Sequence, residues 1–182
     1  MERKKRRIII GSFVLLLAVT VWCLDVFTLR GRFIYCRTPA SLVADDTAIM
    51  SALISQNTRP SGSSTGRPTV YLGEITIPPD MESADSVPYT VMDALRRRNR
   101  FSAGLEGASL TDSAHIVHAM PYVGAVPMME FSLPVYSWDG QEAIIFEVYH
   151  SGRGMGSFAY YVRMAKRGGV WAQADVLGGT AS

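Results

Sequence analysis

Hydrophobic and polar positions change rhythm twice along this chain. Residues 2–7 are all charged, and Ile8 to Leu24 then carries no charge at all. A middle region places its apolar residues at helical spacing in two patches. From Glu130 onward the alternation has period two and keeps it almost to the end.

Each rhythm predicts elements. Ile8 to Leu24, extended past Asp25 by Val26 and Phe27, matches the roughly 17–25 apolar residues a membrane-spanning helix needs. Thr38-Pro39 has the form of a helix start, with Thr as N-cap and Pro at the first helical position. Ile49, Met50, Leu53 and Ile54 then fall on one face. Asn57 to Pro68, rich in Ser, Gly and Pro, is a loop. Val70 to Ile77 is read as a strand ended by Pro78-Pro79, followed by an acidic loop to Ser86. Ser86-Val87-Pro88 opens a second helix, with Val91, Met92 and Leu95 inward and Arg96-Arg97-Arg98-Asn99-Arg100 closing it, where cations suit the helix dipole.

Four strands follow. Phe131, Leu133 and Val135 alternate up to a hairpin turn at Asp139-Gly140. Ala143 to Tyr149, Phe158 to Met164 and Val170 to Val176 are the next three, separated by the turns Ser151–Gly156 and Gly168-Gly169. Short connections force antiparallel neighbours, and a lone sheet cannot bury both faces. The expected fold is therefore α+β: an N-terminal transmembrane helix, then two or more helices packed on an antiparallel sheet that ends in a four-stranded meander. The divisions are a cytoplasmic basic tail (1–7), a signal-anchor span (8–27), a juxtamembrane linker (28–37), an extracytoplasmic domain (38–178) and a disordered tail (179–182).

Charge changes the picture once the anchor is set aside. The 182-residue chain is +2, but residues 25–182 hold 13 Lys and Arg against 15 Asp and Glu. The excess positive charge belongs to the tail, so nothing points to a nucleic-acid-binding domain. Arg3, Lys4, Lys5, Arg6 and Arg7 precede the span and Arg30, Arg32 and Arg37 follow it, which favours a cytoplasmic N-terminus. That predicts a single-pass protein of the inner membrane with its domain outside the cytoplasm. A cleaved secretory signal is the rival reading, disfavoured because no small residues stand at a cleavage position near the end of the run. Cys23 lies in the span and Cys36 beyond it, so no disulfide framework is expected. The preference for Arg over Lys and the lack of an Asn-x-Ser/Thr sequon lean toward a bacterial source.

Candidate chemistry is sparse. Gly152-Arg153-Gly154-Met155-Gly156 has the look of a phosphate loop, yet a strand follows it where such a loop needs a helix N-terminus. The glycines are read as supplying positive φ in a wide turn. His150, Gly152, Arg153, Gly154 and Gly156 are the candidate edge where a ligand or partner approaches the backbone. His115 and His118, with Asp112, would share a face on a helix and hold a metal; the local pattern is that of a strand or loop, which turns them apart. No nucleophile elbow is present, and no catalytic residue, metal or cofactor is expected.

The C-terminal stretch resembles a family of uncharacterised, mostly bacterial extracytoplasmic proteins. The residues that carry the resemblance are Phe131-Ser132-Leu133, Asp139-Gly140-Gln141-Glu142-Ala143, the Gly152 to Ser157 loop, Tyr160-Tyr161-Val162 and Gly168-Gly169-Val170-Trp171. Arg153 and Met155 between the glycines, and Gly169-Val170 before Trp171, depart from the pattern. The resemblance implies an extracytoplasmic domain and brings no activity with it. The expected function is a membrane-anchored domain that binds an envelope protein or ligand without catalysis, such as an accessory or assembly subunit. Two alternatives remain: a hydrolase or metal enzyme using His115, His118 and His150, and an immunity or inhibitor protein.

Overall fold

The computed structural model describes residues 2–34, 36–40, 43–57, 68–71, 75–77, 87–100, 110, 114–117, 127–151 and 156–181. The period-two region forms the body of a sheet. β3 (Met128–Phe131) and β4 (Val135–Tyr136) both pair antiparallel with β5 (Glu142–His150), which pairs with β6 (Ser157–Arg167), which pairs with β7 (Val170–Ala181). The expected meander is present, with its first strand broken in two. Pro134 has no N–H to give a ladder. At the break Ser132 takes over: its N–H donates to the Phe146 carbonyl at 2.9 Å, and its Oγ accepts from the Phe146 N–H at 2.9 Å.

Two short strands add a parallel portion. β1 (Thr69–Tyr71) lies between β2 (His115–Val117) and β3, parallel to both, giving the order β2-β1-β3-β5-β6-β7 with β4 beside β5. The sheet of seven strands is thus mostly antiparallel. Among the described residues, the strand expected over Val70 to Ile77 is present as β1 up to Tyr71. Residues 75–77 are outside the ladder, and Ile75 and Ile77 instead bury their side chains against the second helical layer.

Helices cover both faces. α3 (Ala44–Asn57) sets Ile49, Met50, Leu53 and Ile54 against Phe131, Ile145, Val162 and Trp171. α2 (Leu29–Phe33) and α4 (Tyr89–Asn99) set Phe33, Val91, Ala94 and Leu95 against Ile144, Phe146 and Tyr161 on the other face. The alternation along β5, Ala143 and Ile145 one way and Ile144 and Phe146 the other, is the reason this strand reads as continuously apolar.

Three boundaries differ from expectation. Thr38-Pro39 does not open a helix: α3 begins at Ala44, where the Asp46 carboxylate accepts from the Val43 N–H at 2.9 Å and caps the first turn. Upstream, Arg37 is held by a two-way backbone bridge to Tyr136, which keeps the chain extended. The segment 28–37 is not merely a linker, because Thr28 caps the short helix α2 through its hydroxyl, 3.1 Å from the Gly31 N–H. Nor does an unstructured tail begin at 179: pairing of Ala159 with Thr180 and Phe158 with Ala181 carries β7 to residue 181.

The N-terminal segment forms α1 (Glu2–Phe27). Among the described residues no helix is long and apolar enough to cross a membrane. Over residues 10–23 α1 is exposed throughout, with Phe13, Leu15, Leu16 and Trp22 each more than 60% accessible.

Candidate functional site

One polar chain runs across three strands near the glycine-rich turn. In the β5–β6 register His150 stands opposite Ser157, and in the β3–β5 register it stands opposite Met128, with Glu130 two residues along on the same face. His150 Nδ1 is 2.6 Å from Ser157 Oγ, and its Nε2 meets the Glu130 carboxylate. Glu130 and His150 side chains are 7% and 12% exposed. With Nε2–H donating to the carboxylate, Nδ1 accepts from the Ser157 hydroxyl.

The expected ligand edge therefore resolves in part. His150 is engaged within the sheet and does not project from it. Gly156 is in the left-handed region, with φ of 95°, and Ser151 closes the turn by donating from its N–H at 3.3 Å and its Oγ at 2.9 Å to the Gly156 carbonyl. Gly152, Arg153 and Gly154 lie outside the described residues. β6 begins directly after Gly156, so Gly156 leads into a strand, where a phosphate-binding loop would lead into a helix.

Hydroxyl, imidazole and carboxylate in a row is the composition of a hydrolytic triad, but the order of ring atoms is reversed. Serine hydrolases bring the hydroxyl to Nε2 and the carboxylate to Nδ1. Here Nδ1 has the hydroxyl. A rotation about the Cβ–Cγ bond does not exchange these two nitrogens. Ser157 is also a ladder residue, not the tip of a strained strand-to-helix elbow.

The metal reading is not assembled. His115 is exposed on β2, at the sheet edge opposite β7, while His118 and Asp112 lie outside the described residues. β1 and β3 separate His115 from His150, which is on β5. Among the described residues no three His, Cys, Asp or Glu side chains converge as metal ligands.

A second network sits where sequence gave only a basic helix end. Arg98 on α4 forms two hydrogen bonds of 2.7 Å to Asp46 on α3, one to each carboxylate oxygen. It donates from Nε to the Pro39 carbonyl at 3.1 Å and from Nη1 to the Pro134 carbonyl. The Tyr136 hydroxyl donates to the same Asp46 carboxylate, and burial beside that charge pushes its pKa up. α3 and α4 pack on opposite faces, and they meet here around β4, which is only two residues long.

Glu147 is a further buried carboxyl group, beside Asp46, Glu130 and Glu142. It lies between Ile145 and Tyr149 on the α3 face of β5 and accepts a 2.6 Å hydrogen bond from the Asn57 amide. Burial raises its pKa to about 7, and the Asn57 bond opposes that rise. An open depression of about 570 Å³ beside Gln56 and residues 173–176 contributes Asp175, which faces Arg163 at 3.7 Å. Among the described residues no imidazole or thiol lines it. Comparison of the chain with protein-family models, with curated proteins and with solved structures gives no match.

Proposed function

We propose that this chain is a single-pass membrane protein whose α1 is the anchor, and whose α+β domain binds an envelope protein outside the cytoplasm without catalysing a reaction. The observation that carries the reading is the bare surface of α1. Ile10, Phe13, Val14, Leu15, Leu16, Leu17, Val19, Val21 and Trp22 are all exposed, while the domain beside them closes its own core with Phe33, Phe131, Phe146, Leu53 and Leu95 wholly buried. Removing those nine side chains from water is worth on the order of 10 kcal/mol or more. A bilayer offers that burial along the whole circumference of a helix. Five cations before the run set its cytoplasmic end.

Binding, in preference to chemistry, is supported by the way the titratable groups are spent. Asp46 answers Arg98, Glu130 answers His150, and Glu142 answers Arg32, each through an internal bond. The surface that offers recognition is β7, which among the described residues pairs with β6 alone and is exposed from Ala172 to Val176. An edge of that length can accept an extended partner segment as an added strand.

The hydrolase reading keeps one supporting observation, the Ser157–His150–Glu130 chain. The reversed ring nitrogens weigh against it. A reporter active only outside the cytoplasm, fused after Ser182, is expected to be active, with the protein retained in the membrane after alkaline carbonate washing. Release into the soluble fraction would overturn the anchor, and activity from a cytoplasm-only reporter would overturn the orientation.

A further inference from the structure

We infer that the end of the domain nearest α1 is a lipid-docking face, so that the domain rests on the headgroup layer of an anionic phospholipid bilayer and does not swing free on its anchor. This rests on the reading of α1 as the anchor.

Four separate segments are tied together at that end. The Trp138 N–H donates to the Arg32 carbonyl at 3.1 Å, joining the β4–β5 turn to α2. The Lys166 N–H donates to the Gln141 carbonyl at 2.8 Å, joining the same turn to the end of β6. Lys166 Nζ and Trp171 Nε1 both reach Asp45, at 2.9 and 3.0 Å, which brings in the start of α3. Helix α2 follows α1 after the single residue Thr28, so this end faces whatever surrounds the anchor.

Its composition is that of an interfacial belt. Outside α1, the large apolar side chains exposed among the described residues are Ile34, Val43, Tyr89, Trp138, Val170 and Val176. Four of them, Ile34, Val43, Trp138 and Val170, lie at this end; Tyr89 opens α4 at the opposite end and Val176 is midway along β7. Trp138 is 51% exposed and Val170 68%. An amphipathic indole of this kind suits the headgroup level. Scattered apolar residues need no explanation, but their collection at one end of the sheet does.

Charge at this end agrees. Arg30, Arg37 and Arg167 are exposed there. Among the described side chains at this end, the carboxylates are engaged: Asp45 by Lys166, Asp139 by the Ser137 hydroxyl and the Gln141 N–H, Glu142 by Arg32. The domain side of the chain carries a slight negative charge overall, with 13 Lys and Arg against 15 Asp and Glu, yet Arg30, Arg37 and Arg167 place exposed positive charge at this end. Basic residues next to a span are drawn to anionic lipid within a Debye length of the surface.

Brominated phospholipid vesicles containing phosphatidylglycerol separate the two claims, because bromine quenches only indoles that enter the bilayer. With the full-length protein reconstituted, comparing wild type with Trp22→Phe reads Trp22, and comparing Trp22→Phe with Trp22→Phe/Trp138→Phe reads Trp138. Both indoles are expected to be quenched, and Arg37→Glu/Arg167→Glu is expected to abolish quenching of Trp138 while leaving that of Trp22. Trp22 quenched with Trp138 untouched would overturn the docking face, leaving that surface to a protein, while the anchor stands. Trp138 quenched without Trp22 would support docking and remove the anchor, and quenching of neither would overturn both.

Discussion

Arg98 and Asp46, 52 positions apart, hold each other through two parallel hydrogen bonds of 2.7 Å with side chains 1% and 0% exposed. The guanidinium also serves two carbonyls, and the carboxylate also serves Tyr136 and the Val43 N–H. Such a pair is costly to desolvate, and its net worth depends on how completely the remaining donors and acceptors are satisfied. Here it joins α3 to α4 around the short strand β4, so it fixes how the two helical layers meet.

Breaking that pair from one side leaves a buried charge without its partner. Arg98→Met and Asp46→Ala are each expected to destabilise the domain by about 3–5 kcal/mol in denaturant titrations of the micelle-bound protein. The double substitution is expected to cost much less than the sum of the two. Additive losses would mean that the two residues act independently, contrary to the bidentate geometry.

Glu147 gives stability a pH dependence of unusual sign for a carboxylate. Burial raises its folded pKa from 4.5 to about 7, so between those values the native state holds a proton that the unfolded chain has released. Stability from this group is therefore complete below about pH 4.5 and falls as pH rises toward 7, by a total of about 3 kcal/mol. Glu147→Gln is expected to flatten that fall and to be the more stable protein at pH 8. Equal pH slopes for wild type and variant in urea titrations from pH 4.5 to 8 would refute the assignment.

Much of this architecture was legible because it is local. Gly140, Gly168 and Gly169, read as turn residues, have φ of 69°, 59° and 83°, and the period-two stretches became β5, β6 and β7. The parts that were not legible depend on distant partners. Thr38-Pro39 has the form of a helix start, but the bridge between Arg37 and Tyr136 holds that segment extended. Arg98 stands in a run of arginines suited to a helix end, and only the fold brings Asp46 to it. The Ser157–His150–Glu130 chain depends on two strand registers at once, and no spacing in the sequence announces it.

That chain is predicted to be structural. A fluorophosphonate probe is expected to leave Ser157 unlabelled, since the ring presents Nδ1 to the hydroxyl and Ser157 is held in a ladder. Ser157→Ala should lower stability by about 1 kcal/mol, the worth of one hydrogen bond in a partly buried site. Labelling of wild type that is lost in both Ser157→Ala and His150→Ala would establish a nucleophile and overturn the non-catalytic reading.

The close packing of β7 on β6 is tested at Gly179, which stands opposite Tyr160. A Cβ there would lie 2.4 Å from Tyr160 Cδ1 and 2.8 Å from the Ala159 carbonyl oxygen. The ring can turn aside, but the carbonyl belongs to the ladder and cannot. Gly179→Ala is therefore expected to cost about 1–3 kcal/mol, the usual penalty of overpacking, and to speed amide exchange in the last residues of β7. In a Tyr160→Ala background the same substitution should cost less, yet not nothing, because the contact with Ala159 persists. A Gly179→Ala protein with unchanged stability and unchanged exchange at Thr180 would show that β7 is not held against β6 at this point.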